Sequence, residues 1–420
     1  MSEGTSETRP APDGYIAVRT GELADAIVRE NGLAAEEAGA LPDVLKLLGA
    51  LLQYEAHERL EALKTLYDPL DPDAPASRRN VEPAAFGAFE TAFLDALSRA
   101  NFTEIDHDTV RTREATKLLT GLVIKPSQAG IRSIRYFARG VRPERVALKR
   151  LIGKRGLDAE IMTDVIVLVA FKSEAEMSRQ DRRGFAHMRR GVRPGAVLVK
   201  HFRNVATDEL VTLHPGARPS MRTRDQVFLA GPAIVAGAPL LLNLWPALTV
   251  IFAVAAAYFG ARGVIEQDKL RQALAATSGF IAVGTFVMRQ RLKYEAQTLR
   301  YQKQLADTVY FRNLANNEGV VDLVVGAGED QDEKEAFIAY WALRRAQKPL
   351  TKQEIDAAAE TFLRERFGLN VDFEIEDAMA KLERLGLVSR DGDSFAAIPT
   401  VEARAKLDQN WDGLFKFHNA

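Results

Sequence analysis

The sequence has no cysteine, which excludes disulfides, thiolate metal sites and cysteine nucleophiles together and fits a reducing compartment. Catalytic signatures are missing as well. The six histidines, His57, His107, His187, His201, His214 and His418, never fall at a metal-ligand spacing such as H-E-x-x-H. Neither a G-x-S-x-G elbow nor a phosphate loop occurs: GKRG at 153–156 lacks the spacing, and GAGED at 326–330 reads as a loop. Asp106, His107 and Asp108 read as a polar helix start or loop rather than a site. No catalytic residue, cofactor or metal is expected, and nothing in these motifs points to an enzyme.

The most telling scarcity is of charge. The chain is 27% charged, yet residues 227–261 (VFLAGPAIVAGAPLLLNLWPALTVIFAVAAAYFGA) carry none. A hydrocarbon core of about 30 Å takes about 20 apolar residues at about 1.5 Å each, so this run suits two tightly joined spans better than one. Asn243, Leu244, Trp245 and Pro246 form the expected turn. Ala253, Ala257 and Ala261 put small side chains on one stripe of the second arm. A buried hairpin in a water-soluble core is the bland alternative. A second uncharged segment, 273–288, either spans or lies in the interface. Arg218, Arg222 and Arg224 precede the region, and Arg289, Arg291 and Lys293 follow it. By the positive-inside rule both flanks are cytoplasmic and the crossings even in number.

The balance of 56 basic against 57 acidic residues hides an uneven distribution. Residues 1–110 hold 9 basic and 21 acidic, 111–224 hold 25 and 10, and 225–420 hold 22 and 26. The expected plan follows that grain: a disordered tail at 1–14, an acidic helical domain at 15–115 and a basic β-rich domain at 116–224. A transmembrane region at 225–290, a stalk helix and junction at 291–328 and a winged-helix-like domain at 329–420 complete it. In the acidic part Leu45, Leu48, Leu52, Leu60 and Leu63 keep helical spacing, and a second helix is expected near 83–98. In the basic part GLVIKP, IRSIRYFARG, MTDVIVLVAF and AVLVKHF read as strands of a small, mainly antiparallel sheet. Arg179, Arg182, Arg183, Arg189, Arg190 and Arg193, with Arg222 and Arg224, form a basic cluster. Its plain reading is a solvated loop; beside a membrane each cation would contribute about 1 kcal/mol towards anionic lipid headgroups.

After Met288 a long helix is expected, with Leu292, Leu299 and Ala306 every seven residues, which allows a homo-oligomer through this stalk. The last ninety residues read as three helices and a two-stranded wing: a helix from Asp332, a second capped by Thr351 with Glu354 and stopped by Gly368, a third near 373–385, and a hairpin turn at Asp391-Gly392. The third helix and its lead-in carry Asp372, Glu374, Glu376, Asp377 and Glu383 against Lys381 and Arg384. That acidity repels phosphates, so a protein partner is expected and no nucleic acid.

Several stretches carry a resemblance: YIAVRTGELADAI from Tyr15, YDPLDPD at 67–73, ANFTEI at 100–105, YFARG at 136–140, VKHFRNVATDELVTLHPG at 199–216, and the strip 309–343. In that strip Tyr310, Leu314, Asn316, Asn317, Gly319, Glu329, Gln331, Lys334, Glu335 and Tyr340 carry the match. Together these stretches resemble a family of unknown function, domain of unknown function 3754, whose eukaryotic member is transmembrane protein 143. The resemblance implies a membrane protein with about two spans and no assigned activity or cofactor. The eukaryotic member is associated with mitochondria; the start of this chain has no transit-peptide character, which fits a bacterial inner membrane with both termini cytoplasmic. Physically, the strip reads first as a domain junction, with Asn316, Asn317 and Gly319 in a turn and Lys334 paired to Asp330.

The expected fold is therefore an α+β multidomain membrane protein: an N-terminal helical domain, a small sheet domain, a transmembrane helical hairpin and a C-terminal winged-helix-like domain. The expected function is a membrane-anchored scaffold or adaptor touching membrane lipid and a protein partner. A membrane enzyme or binding protein for a lipid or hydrophobic substrate, with polar groups such as His201, Asp208 and His214 converging, is the alternative. A DNA-tethering winged helix is the third.

Overall fold

The structure is a computed structural model of the 420-residue chain. It describes residues 14–30, 32–75, 83–106, 123–149, 154–188, 192–220, 249, 252, 255–256, 259–260 and 267–415. In chain order the elements are α1 (Thr20–Arg29), α2 (Ala35–Tyr67), α3 (Pro83–Arg99), β1 (Thr103–Ile105), β2 (Val123–Pro126), β3 (Ile131–Lys149), β4 (Lys154–Phe171), α4 (Arg179–Met188), β5 (Val197–Ala206) and β6 (Ala217–Ser220). There follow α5 (Gln267–Arg312), β7 (Asn313–Asn316), α6 (Glu318–Ala346), β8 (Leu350–Thr351), α7 (Lys352–Phe367), α8 (Ile375–Arg384), β9 (Val388–Asp391), β10 (Ser394–Ala397) and α9 (Thr400–Asp412).

These elements form two compact units, one of residues 1–110, 128–210 and 312–420, the other of 111–127 and 211–311. The first is built on a five-stranded antiparallel sheet in the order β1-β3-β4-β5-β7. Consecutive buried residues Val165, Ile166, Val167, Leu168 and Val169 run along β4. Alternate side chains leave opposite faces of a strand, so this central strand is covered on both. Phe137, Ile166, Leu168, Val197 and Val199 pack with Leu63, Phe89, Phe93 and Leu97 of α2 and α3, and with Val320, Val321, Val324 and Val325 of α6.

A second core in the same unit draws on both ends of the chain. Ile27 of α1 and Leu41, Val44 and Leu48 of α2 meet Trp341 and Leu343 of α6, Ile355 and Phe362 of α7, Leu382 of α8, Phe395 of β10 and Leu407 of α9. The elements from α6 to β10 follow the helix-strand-helix-helix-strand-strand order of a winged helix, and its sheet has a third strand, in the order β8-β10-β9. Local chemistry fixes its corners. Thr351 and Glu354 form the reciprocal capping box of α7, Gly368 closes that helix at φ 67°, and Gly392 turns the β9–β10 hairpin at φ 60°. The other unit contains the β2–β6 pair and α5 up to residue 311.

The membrane part of the expected fold is corrected. Among the described residues no helix is long and apolar enough to cross a membrane. Segment 273–288 lies inside α5, where its 16 uncharged residues include Thr277, Ser278, Gly279, Gly284 and Thr285. That is shorter and more polar than the roughly 20 apolar residues a span requires. The hairpin assigned to 227–261 lies, apart from six positions, outside the described residues. The α+β class stands, with a sheet and helices; the transmembrane class and the inner-membrane localisation, which rested on those spans, do not.

Candidate functional site

α6 threads both cores of its unit. Its first turns bury valines under the sheet, and residues 336–343 fill the second core. Between these stretches it buries polar side chains instead: Gln331, Asp332, Lys334 and Glu335 are each at most 3% exposed. Gly328 lies at the start of this band, where a Cβ would come within 3.3 Å of the Cβ of Arg99 on α3. A larger residue there would push the helices apart.

Gln331, Asp332 and Lys334 in the band each have defined hydrogen-bond partners. The Ile16 N–H donates to Gln331 Oε1 at 2.8 Å, and Lys334 Nζ donates to the Ile16 carbonyl at 3.0 Å and to Asp330. Asp332 accepts from Lys381 Nζ of α8 through Oδ1 at 2.6 Å and from Arg59 Nη2 of α2 through Oδ2 at 3.3 Å. Lys381 Nζ also donates to Asp377. One carboxylate oxygen each from Asp332, Glu335 and Asp377 lie within 4.8 Å of one another. Glu335 is buried, and burial holds its pKa well above the usual carboxylate range against the opposing charge of Lys381. Burial also raises Asp332, against the pull of Lys381, and lowers Lys334. Glu333, one residue along, is pushed up to about 7 by burial and then by the charges of Glu329 and Asp330.

The remaining residues of the strip act as joints. Asn317 at φ 53° donates from its backbone to the Val199 carbonyl at 2.7 Å and from its side chain to Asp73 at 2.6 Å. Tyr340 donates to the Ile398 carbonyl at 3.1 Å. Leu314 and Asn316 sit on edge strand β7, Gly319 opens α6, and Tyr310 at the end of α5 is exposed. Thus Gln331, Lys334 and Glu335 come together in the band, while Tyr310, Leu314, Asn316, Asn317, Gly319 and Tyr340 are spread along 30 residues of chain.

The basic cluster divides differently. Arg179, Arg182 and Arg183 lie on α4, with Arg182 bonded to the Glu174 carbonyl. Arg193 donates to the carbonyls of Pro69 and Asp71, a structural task. Arg189, Arg190, Arg222 and Arg224 lie outside the described residues.

His201 is buried on β5 and meets Asp164 Oδ1 at 3.0 Å, beside Arg203 on the same oxygen and Arg139 on the other. Burial alone would raise Asp164, but His201 and Arg139 outweigh it and hold its carboxyl well below the usual range. His214 accepts the Gly216 N–H instead. The buried Asp164 with its two arginines and His201 was missed by sequence reasoning; the alternating charges on Arg139, Asp164 and Arg203 were the available signal, visible only with the strand register.

Comparison with known proteins agrees with the resemblance. No solved structure matches the chain. Residues 162–319, from β4 through β7 to the first residues of α6, match a family model and stop short of the buried band. Over that stretch the chain resembles the family described as Protein of unknown function (DUF3754).

Proposed function

We propose that the chain is a non-catalytic scaffold whose helix α5 docks an acidic amphipathic helix of a partner protein. One observation carries this reading: Ile281, Met288, Leu292 and Leu299 on α5 are 65%, 55%, 52% and 63% exposed. Their spacings of seven, four and seven residues place them on one stripe of a helix about 70 Å long. Covering a large apolar side chain contributes about 1.5–3 kcal/mol, so such a stripe favours association.

Charge selects the kind of partner. Between residues 289 and 312 the helix has Arg289, Arg291, Lys293, Arg300, Lys303 and Arg312 against Glu295 and Asp307. A second copy would bring like charge against like charge, whereas an acidic helix satisfies both the stripe and its surroundings. The winged-helix order lends no support to DNA binding, because its third helix is occupied within the chain. Arg384 of α8 grips Glu55 of α2, Lys381 reaches Asp332, and Glu374 just ahead of the helix accepts from Asn101. A helix reading the major groove needs a free face.

The test is fluorescence anisotropy of the full chain with a labelled glutamate-rich helical peptide bearing leucines at heptad spacing. Saturable binding that weakens with salt and is lost in the Leu292→Glu, Leu299→Glu double variant supports the proposal. Binding that survives both changes, dimerisation through α5 in light scattering, or capture of anionic vesicles in place of the peptide overturns it.

A further inference from the structure

We infer that a cavity walled by α2, α3 and α6 binds a short aliphatic carboxylate, its chain held inside and its carboxylate held by Arg59 and Arg99 at the mouth. The cavity has a volume of about 190 Å3. Leu63 and Leu66 of α2, Ala92 and Ala96 of α3 and Val325 of α6 form its apolar walls. Residues three or four apart share one face of a helix, so each of these pairs turns inward together. Arg59, one turn before Leu63, and Arg99, one turn after Ala96, carry the same two faces on to the mouth.

Size and lining name the body of the ligand. Protein interiors are close-packed and leave few voids larger than a water molecule, so apolar space on this scale is unusual. A void of about 150 Å3 lined by aliphatic side chains holds benzene rather than water, and by that measure this one suits a body of about six to eight carbons. It falls short of the roughly 300–1,000 Å3 of sites for drug-sized ligands, which argues against a nucleotide cofactor or a whole phospholipid.

The mouth names the other end. Asp95 and Glu329 complete the lining beside the two arginines. The Arg59 and Arg99 side chains are partly exposed and Asp95 more so, whereas Leu63 and Val325 are buried, so charge stands where solvent enters and apolar groups where it does not. A guanidinium has five N–H donors. Among the described residues Arg59 spends one on Asp332 at 3.3 Å and Arg99 one on Asp95 at 3.0 Å. The rim is therefore richer in donors than in acceptors to meet them, and a carboxylate can accept two from one guanidinium in parallel. An ammonium is served less well: Asp95 is already held by Arg99, and burial raises the pKa of Glu329, disfavouring its charged form.

Isothermal titration calorimetry of the full chain with sodium octanoate, octanol and octylamine, each below its aggregation concentration, reads both ends of the ligand. One saturable octanoate per chain is expected, with a thermal midpoint that rises with octanoate concentration. Octanol and octylamine should bind at least about tenfold more weakly, since a hydrogen bond to a charged group accounts for about that factor. Ala96→Leu fills the space from a half-buried position and should abolish octanoate binding while its own midpoint without ligand stays at or above the parent's. Arg99→Gln keeps the wall and removes the guanidinium; it should weaken octanoate by about tenfold and leave octanol unchanged. The Leu292→Glu, Leu299→Glu double variant should bind octanoate as the parent does, which separates this cavity from the stripe on α5. The inference is overturned by absence of saturable octanoate binding, by octanol or octylamine binding as tightly as octanoate, by undiminished octanoate affinity in either folded cavity variant, or by loss of octanoate in the α5 variant.

Discussion

Arg384 of α8 holds Glu55 of α2 through both carboxylate oxygens, at 2.5 and 2.8 Å, joining residues 329 positions apart in sequence. α8 is held a second time by the Lys381–Asp332 contact with α6, and exposure sets the two pairs apart. The Arg384 side chain is 52% exposed, whereas those of Lys381 and Asp332 are 6% and 2%.

For the outer pair a double-mutant cycle of Arg384→Ala and Glu55→Ala should give a coupling of about 0.2–1 kcal/mol in urea unfolding, falling as salt is raised. A larger, salt-insensitive coupling would mean that the contact is shielded from solvent.

For the inner pair, Asp332→Ala should destabilise the chain by about 3–5 kcal/mol, because it leaves the Lys381 ammonium buried with only Asp377. Urea midpoints at constant m value are the readout. A loss below about 1 kcal/mol would show that the band repacks around the vacancy.

Asp164 gives a pH signature. Its folded pKa is depressed, so the stability it contributes is fully present above the ordinary carboxylate pKa of about 4 and is lost as pH falls through the lower folded value. Asp164→Asn should therefore be markedly less stable than the parent at neutral pH, with the gap narrowing in acid. A gap constant from neutral pH to pH 2 would contradict the linkage.

Thr351→Ala removes the side-chain acceptor for the Glu354 N–H at the start of α7. Loss of such a cap costs about 1 kcal/mol, measurable as a lower urea midpoint, and Thr351→Ser should restore most of it.

Much of the fold was legible where local chemistry decides it. The capping threonine, the left-handed Gly368 and the Asp391-Gly392 turn are read within a few residues of each other, and the Lys334–Asp330 pair is a one-turn relation. The β3 and β4 runs were equally plain, since Val and Ile cluster there. The start of α6 was not. It begins at Glu318, fourteen residues before the expected Asp332, because Gly326 and Gly328 read as loop signals. Gly328 is there for close approach to α3, a tertiary reason that composition cannot express. The band at Asp332 and Glu335 was hidden for the same cause: Arg59 and Lys381 reach it from segments 273 and 49 residues away. The membrane class rested on the charge-free run at 227–261, nearly all of which lies outside the described residues, while among the described residues no helix is long and apolar enough to cross a membrane.

One helix serving two hydrophobic cores has a consequence for how this unit can be divided. Val320 to Val325 belong to one core and Ala336 to Leu343 to the other, along an unbroken backbone. A cut anywhere in α6 would strip both halves of a wall, so the winged-helix segment and the sheet segment should resist being expressed apart. Insertions, tags and fusion partners belong at the outer loops, and damage at either end of α6 will be felt at the other.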